Sequence, residues 1–270
     1  MAYKKNKLRG FTLVELLVVI SIIALLMAIL VPALNRVRGH AKATACRSNI
    51  RELGQCALMY TNENDYKFFP GYVGGSRDFW MKVLEPYYKD KDLLFCPMAT
   101  KELPGKTFGS RIEAWGPSNI HAKPDDEDFE GYYGSLGLNL WVCNASGNGL
   151  GSNSKANHCW KHTLVKRSGE IPLFADALIF GGLPLNVSEE KPENVVVQTE
   201  NEAGGLTLSG IGYFCLNRHY GYINMVYLDF SVKQVALKQL WNQLWHKNYD
   251  VNEKIPYSEF PTWMRSMPND

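Results

Sequence analysis

The longest apolar run in the sequence covers residues 11–34, and Glu15 is the only formal charge within it. A helix of roughly 20 residues crosses the hydrocarbon core of a bilayer, so this run is long enough to span a membrane. A carboxylate inside such a helix is energetically costly and requires a specific partner. Pro32 removes one backbone hydrogen bond, so we expect a kink or local melting there. The pattern predicts a membrane-spanning helix over residues 11–34.

A second helical pattern follows the apolar run. Its apolar positions are separated by gaps of 4, 3, 4 and 3 residues: Cys46, Ile50, Leu53, Ala57 and Tyr60. This spacing places the side chains on one face of a helix, and polar residues lie between them. We interpret the apolar face as a seam that packs against the protein's own sheet. The sequence thus predicts a soluble continuation of the helix over residues 35–64.

The remaining residues, 65–270, are predicted to form a globular head of mixed α and β structure. Two segments have the apolar spacing of amphipathic helices, residues 79–88 and 235–246. Segments rich in β-branched and aromatic residues predict strands at residues 132–142, 171–175, 195–199 and 222–229, with residues 230–234 as the hairpin partner of the last.

Charge is distributed unevenly between the N-terminus and the rest of the chain. Residues 1–10 contain four basic residues and no acidic one, whereas the remainder has 25 basic and 27 acidic residues, a net charge of −2. Positive charge before the first membrane helix holds the N-terminus in the cytoplasm. The head lacks the basic balance typical of nucleic-acid binding, so we expect no nucleic-acid partner.

The six cysteines are widely spaced, and no CxxC motif occurs among them. This argues against a zinc knuckle or a thioredoxin-like site. An even number of cysteines in an exported protein permits disulfides, although the sequence does not reveal their connectivity.

The N-terminal sequence KLRG/FTLVELLVVISIIA, residues 7–24, resembles the class III signal of type IV prepilins and type II secretion pseudopilins. An ordinary signal peptide has a shorter apolar region of about 7–15 residues. In the family, a prepilin peptidase cuts after the glycine and N-methylates the new terminal phenylalanine. The resemblance implies cleavage after Gly10, methylation of Phe11, and an assembly role for Glu15. It further implies that Glu15 pairs with the Phe11 amine of a neighbouring subunit.

This resemblance also implies a fold, partners and a location. The fold would be α+β and pilin-like, with the long N-terminal helix packed on a mainly antiparallel sheet. The partners would be the prepilin peptidase, other pilin or pseudopilin subunits and an inner-membrane assembly platform. The protein would cross the inner membrane once, with residues 1–10 as a cytoplasmic leader and the head in the periplasm or outside the cell. A pseudopilus of a type II secretion-like system is favoured over an adhesive pilus.

A second resemblance involves residues spread along the chain. His219 and Asp229 are separated by nine residues, which is similar to the His-x9-Asp-Gly signature of a bacterial subgroup of pseudopilin-like proteins. Phe230 occupies the position of the glycine in that signature. Further positions that look like the subgroup are Arg47, Asn49, Leu53-Gly54 and Cys96-Pro97.

Few residues suggest catalysis. The motifs HExxH, GxSxG and GxGxxG do not occur in the sequence. His219 with Asp229 would suit two metal ligands or an acid–base pair, but we favour a polar pair that fixes a hairpin. His158 and His162 are interpreted as exposed histidines near a loop. We therefore predict no catalytic residues and no enzyme; the alternative is a membrane-anchored periplasmic enzyme or ligand-binding protein that uses the helix only as a tether.

The acidic run at residues 125–128, with Glu130 nearby, offers oxygen ligands of the kind that Ca²⁺ prefers. The run lacks the spacing and glycine of an EF-hand, so a solvated loop is the favoured interpretation. We predict no cofactor and no metal ligands, with a structural Ca²⁺ left open.

Overall fold

A computed structural model describes residues 12–70, 79–102, 108–116, 132–144, 155–195 and 210–269. It divides the chain into two units, Met1–Ala41 and Lys42–Asp270. The acidic run predicted as a loop lies outside the described residues, as do Gly10 and Phe11.

Helix α1, Leu13–Glu63, contributes to both units. In the first unit, the described side chains of residues 13–37 are exposed, and most of them are large and apolar. The helix continues through Pro32 without interruption, so the local melting expected there does not occur. Proline removes only one of the many hydrogen bonds of such a helix.

In the second unit, the predicted apolar face of α1 packs into the core. Cys46, Ile50, Leu53 and Ala57 are buried, and Tyr60 packs against the core from its edge. The predicted seam is thereby confirmed. It is buried because the head's sheet lies against this part of the helix, as the contact between Gly54 and the side chain of Val226 demonstrates.

The head contains a five-stranded sheet in the order β3-β1-β2-β4-β5. Its strands are β1 Leu136–Asn139, β2 Pro172–Asp176, β3 Gly181–Gly182, β4 Tyr222–Tyr227 and β5 Val232–Ala236. The strands pair antiparallel except for β1 with β3, which run parallel. A long apolar helix followed by a mostly antiparallel sheet is an α+β, pilin-like arrangement, as the sequence predicted.

Short helices complete the described part of the head. Two are α-helical, α2 Trp80–Leu84 and α3 Thr262–Arg265. The others are 3₁₀-helices at Lys91–Leu94, Lys155–His158, Ser168–Glu170, Pro192–Asn194, Gly210–Tyr213, Leu237–Asn242 and Tyr257–Glu259.

Some predicted elements differ from those observed. The amphipathic helix predicted over residues 235–246 is wrong, because its start belongs to β5 and its middle forms the 3₁₀-helix Leu237–Asn242. Pairing of Val235 and Ala236 with β4 outweighs the helical spacing of the apolar residues. Of the helix predicted over residues 79–88, only Trp80–Leu84 is α-helical (α2). Of the strand predicted over residues 132–142, only Leu136–Asn139 is a strand (β1). Val195 lies outside any strand, and residues 196–199 are outside the described residues.

The hairpin predicted at residues 222–234 is present as β4 and β5, with Val226 opposite Val232. Phe230, at the position of the signature's glycine, has a φ of +62°. This left-handed conformation favours glycine, so the tight turn forms at Phe230 in spite of the side chain.

Candidate functional site

The N-terminus of α1 is closed by hydrogen bonds between Thr12 and Glu15. The Thr12 backbone N–H donates to Glu15 Oε2 at 2.9 Å, and the Thr12 hydroxyl donates to the same oxygen at 2.8 Å. In return, the Glu15 N–H donates to the Thr12 hydroxyl oxygen at 3.3 Å. These reciprocal bonds form a capping box, and they hold the carboxylate where the helix dipole favours negative charge.

The first part of α1, residues 13–34, is apolar on all sides. Besides Glu15, its polar residue is Ser21, whose hydroxyl donates within the helix to the Leu17 carbonyl at 2.7 Å. Among the described residues, α1 is the one helix long and apolar enough to cross a membrane. An exposed apolar surface of this extent requires a cover such as lipid or another protein.

A second constellation lies inside the head, where four separate elements converge. Cys46 belongs to α1, Cys96 follows the 3₁₀-helix Lys91–Leu94, Asp176 ends β2, and His219 precedes β4. All four side chains are buried. One sulfur, nitrogen or carboxylate oxygen from each lies within 4.8 Å of the corresponding atoms of the others.

The contacts inside this cluster centre on His219 Nε2. That nitrogen lies 3.2 Å from Asp176 Oδ2 and 3.4 Å from Cys96 Sγ. The Cys46 thiol lies 3.5 Å from Asp176 Oδ1. The other ring nitrogen, Nδ1, is buried and has no hydrogen-bond partner among the described residues. Two of the other three side chains therefore contact the same nitrogen of the imidazole.

Arg218 supplies a buried positive charge beside the cluster. Its guanidinium donates to the backbone carbonyls of Ser110, Ser135 and Ala177, and its Nη1 lies 3.7 Å from Asp176 Oδ1. The backbone N–H of Asn224 donates to Asp176 Oδ2 at 2.9 Å. These bonds offset the cost of burying the Asp176 carboxylate.

This environment shifts the acidities of the cluster. Burial alone would raise the pKa of Asp176, but the charges of His219 and Arg218 hold it at about 2. Burial would lower the pKa of His219, and the charge and hydrogen bond of Asp176 raise it to about 10. Burial raises the pKa of Cys46, whereas hydrogen bonds from Cys46 and His219 outweigh burial at Cys96 and lower its pKa to about 7.

The helix residues that look like the pseudopilin-like subgroup lie around this cluster. Arg47 Nε donates to the Asn224 side chain at 3.5 Å, which links α1 to β4. The Asn49 side chain donates to the Phe95 carbonyl at 2.9 Å, directly before Cys96. These bonds connect α1 to β4 and to the segment that contains Cys96.

The structure separates His219 from the residue with which its spacing suggested a pair. Asp229 lies in the turn between β4 and β5, where its carboxylate accepts hydrogen bonds from the Ser231 N–H at 3.0 Å and the Ser231 hydroxyl at 2.6 Å. Asp229 thus shapes the hairpin turn, while His219 contacts Asp176. The prediction that His219 and Asp229 form a pair that fixes the hairpin is therefore wrong.

The two other histidines named from the sequence also differ from each other. His162 is exposed, but His158 is half-buried and stacks on the buried His246, with ring centroids 4.8 Å apart. The interpretation of both as exposed histidines therefore holds for His162 only.

One comparison with known proteins bears on the N-terminus. Residues 5–31 match the family model of the prokaryotic N-terminal methylation motif. The chain has a prepilin-like N-terminus. Neither a curated protein nor a solved structure matches the chain. The match supports a type IV pilin-like protein or pseudopilin and does not extend to the C-terminal signature around His219.

The prepilin-like N-terminus and the buried cluster differ in how visible they are in the sequence. The first is a continuous motif. The second joins residues up to 173 positions apart, from Cys46 to His219. In the sequence, Cys96 and His219 stand out individually, whereas no local pattern points to the roles of Cys46, Asp176 and Arg218 in the cluster.

Proposed function

We propose that this protein is a structural subunit of a type IV pilus-like filament, most simply a pseudopilin of a type II secretion-like system. It is made as a prepilin, cleaved after Gly10, N-methylated on Phe11 and polymerised through α1. The observation that carries the proposal is the methylation motif at residues 5–31, which includes the exposed apolar start of α1.

The exposed and the buried part of α1 suit a subunit that is first held in the membrane and then assembled into a filament. Before assembly, its exposed apolar residues would lie in the inner membrane, with the basic leader in the cytoplasm. In the filament, the same surface would be covered by the helices of neighbouring subunits. The seam from Cys46 to Tyr60 packs against the head and would fix the head to the assembled helix.

Glu15 has a defined place in this scheme. Cleavage after Gly10 would release a positively charged amine at Phe11, and a carboxylate in an apolar surrounding is stabilised by such a partner. We infer that the amine of an incoming subunit pairs with Glu15 of its neighbour. The partners are then the prepilin peptidase, other pilin or pseudopilin subunits and the inner-membrane assembly platform.

The head is assigned a structural role rather than a catalytic one. Its most reactive constellation, the cluster around His219, is buried in the core, where a substrate would not reach it without opening the head. The proposal therefore favours a filament subunit over a tethered enzyme or binding protein.

Intact-mass analysis of the protein extracted from its native membrane tests the processing. We expect the mass of residues 11–270 plus one methyl group. A Gly10→Leu variant serves as the control and should retain the leader, because the resemblance implies that the peptidase cuts after the glycine. A wild-type chain that keeps residues 1–10 in cells with active prepilin peptidase would contradict the proposal.

A further inference from the structure

We propose that Cys46, Cys96, Asp176 and His219 bind one Zn²⁺ ion as a structural centre in the core of the head. This inference does not depend on the proposed filament function. It rests on the convergence of two sulfurs, one imidazole nitrogen and one carboxylate at a single point in the core.

The distances between the donor atoms fit a tetrahedral zinc site. Zinc bonds of ~2.3 Å to sulfur and ~2.0–2.1 Å to nitrogen and oxygen place tetrahedral donors ~3.5 Å apart when one is sulfur and ~3.3 Å apart for nitrogen and oxygen. The observed separations are 3.5 Å for Cys46 Sγ to Asp176 Oδ1, 3.4 Å for Cys96 Sγ to His219 Nε2 and 3.2 Å for His219 Nε2 to Asp176 Oδ2. Three donor separations therefore match those that the ion requires, with Cys46 and His219 facing different oxygens of Asp176, and all four donor groups lie within 4.8 Å of one another.

The arrangement around the imidazole differs from that of a catalytic Cys–His–Asp set. In such a set, the thiol contacts one ring nitrogen and the carboxylate orients the ring through the other. Here Cys96 and Asp176 both approach Nε2, and Nδ1 has no partner among the described residues. One proton on Nε2 can point at only one of the two acceptors, whereas a cation bound to Nε2 satisfies both.

The donor types select the metal. Two thiolates and an imidazole are soft and borderline ligands that favour Zn²⁺ over Ca²⁺ or Mg²⁺, which prefer oxygen. Because the protein supplies all four ligands, the site has the closed coordination of a structural centre.

Charge balance supports the same assignment. Two thiolates and one carboxylate carry three negative charges, and the divalent ion with the adjacent Arg218 guanidinium supplies three positive ones. Arg218 is buried and lies 3.7 Å from Asp176 Oδ1. A filled site would therefore be neutral overall, which is the state that a buried cluster requires.

The centre would tie together parts of the chain that are distant in sequence. Its ligands come from α1, from the segment after the 3₁₀-helix Lys91–Leu94, from the end of β2 and from the residue run before β4. Metal binding contributes directly to folding when the ligands are brought together only in the folded state. We thus assign to the ion the role of holding α1 against the sheet.

Elemental analysis of the full-length protein, purified in detergent without chelators, tests the proposal. We expect about one zinc ion per chain in the wild type, and at least a tenfold loss of zinc in Cys96→Ser and His219→Gln. The matched controls Cys143→Ser and His158→Gln alter a buried cysteine and a histidine outside the cluster and should keep the metal. Zinc that is absent from the wild type, or that remains in both cluster variants, would overturn the assignment.

A measurement on the wild type alone protects the test against variants that fail to fold. After chelation, Co²⁺ added to the reduced protein should give the intense visible bands of a tetrahedral ion and a near-ultraviolet thiolate charge-transfer band. Featureless spectra in a folded protein, or a Cys46–Cys96 disulfide in peptide mass mapping of the native protein, would refute the site. Neither result affects the mass test of cleavage after Gly10.

Discussion

Gly54 of α1 lies so close to Val226 of β4 that a Cβ at position 54 would be 2.8 Å from Val226 Cγ2. Carbon atoms in favourable contact are separated by about 3.5–4.0 Å. The helix therefore approaches the sheet to a distance that only glycine permits at this position. Gly54 sits within the buried seam, so this contact sets how the seam packs on β4.

We expect Gly54→Ala to destabilise the head. Overpacking a rigid core position costs about 1–3 kcal/mol, and the gain in helix propensity returns about 1 kcal/mol. Chemical denaturation of the detergent-solubilised protein, followed by tryptophan fluorescence, should show a net loss of up to about 2 kcal/mol. Gln55→Ala, at the exposed neighbouring position, is the control and should change stability little.

The double variant identifies the contact responsible. In a Val226→Ala background the methyl groups of Val226 are gone, so Gly54→Ala should cost much less or become favourable. An equal cost of Gly54→Ala in both backgrounds would show that the close approach to Val226 is not the cause.

Arg218→Lys should destabilise the head strongly. A lysine retains the charge, but all its donors sit on a single nitrogen, whereas Arg218 reaches the carbonyls of Ser110, Ser135 and Ala177 from the three nitrogens of a planar fork. Breaking a buried charge network of this kind costs about 3–5 kcal/mol. The control is Arg167→Lys, because Arg167 pairs with Glu170 on the surface and such pairs contribute at most about 1 kcal/mol. Thermal unfolding that responds equally to both substitutions would contradict the proposed role of Arg218.

The predictable parts of this fold are those that local patterns encode. The spacing of the apolar residues from Cys46 to Tyr60 indicates one face of a helix. The hairpin of β4 and β5 is predicted by two adjacent segments with the composition of strands. Residues 235–246 were misassigned because the start of the segment belongs to β5, and the pairing of Val235 with Ile223 that places it there is not visible in the apolar spacing. Local propensity is outweighed there by tertiary contacts.

The buried cluster could not be predicted in the same way. Cys96 and His219 are 123 residues apart, and neither lies in a sequence motif that indicates its contact with the other. Their meeting depends on the register of β2 with β4 and on the placement of α1 against both strands. The nine-residue spacing to Asp229 instead pointed to a neighbour along the chain, whereas β2 supplies Asp176 from the adjacent strand.

His246 should make the stability of the head sensitive to acid. Burial, with a smaller contribution from the neighbouring His158, lowers its pKa to about 4. Its Nδ1 accepts a hydrogen bond from the Asn248 N–H, which requires a neutral ring, and Trp141 and Tyr249 pack against it. The ordinary pKa of about 6.5 in the unfolded chain means that unfolding takes up a proton between about pH 4 and 6.5.

The contribution of neutral His246 to the free energy of unfolding is therefore fully present above about pH 6.5 and is lost as the pH falls toward 4. At about 1.4 kcal/mol per unit of pKa, the loss is at most about 3.5 kcal/mol. Denaturation at a series of pH values should show a shallower dependence in His246→Gln than in the wild type. His162→Gln, which changes an exposed histidine, should retain the wild-type slope, and a slope unchanged in His246→Gln would contradict the assignment.

Cys143 and Cys159 are placed to form a disulfide. Their sulfur atoms are 3.3 Å apart, and the adjacent residues Val142 and Trp160 form a β-bridge. Contact with Cys143, together with nearby lysines, lowers the pKa of Cys159, which favours its thiolate as the attacking group. Treatment with diamide should join the two sulfurs, with the two thiol hydrogens transferred to the oxidant.

Peptide mapping should then recover the linked Cys143 and Cys159 peptides, and the oxidised protein should unfold at higher temperature. Closing a loop of this length stabilises a chain by about 3 kcal/mol in the entropic treatment. Cys215→Ser is the control, because this buried cysteine lies elsewhere in the core and should leave the cross-link intact. A cross-link in Cys159→Ser that still includes Cys143 would show that the pairing is wrong.

Glu15 has two separable roles, and two substitutions distinguish them. Gln at position 15 can still accept the hydrogen bonds of Thr12, because its side-chain oxygen replaces one carboxylate oxygen in the capping box. It removes the charge that would pair with the Phe11 amine of another subunit. Ala removes both. If intermolecular charge pairing drives assembly, both variants should be processed after Gly10, and both should enter filaments poorly.

The measurement is the fraction of mature subunit in sheared filaments relative to membranes, with cleavage followed by intact mass. Ser21→Ala, which removes a hydrogen bond inside the same apolar helix, should assemble like the wild type. Wild-type assembly of Glu15→Gln with failure of Glu15→Ala would assign Glu15 to helix capping instead. That outcome would leave the prepilin-like processing intact but remove charge pairing from the assembly mechanism, because an amide cannot replace a carboxylate opposite an ammonium group in an apolar environment.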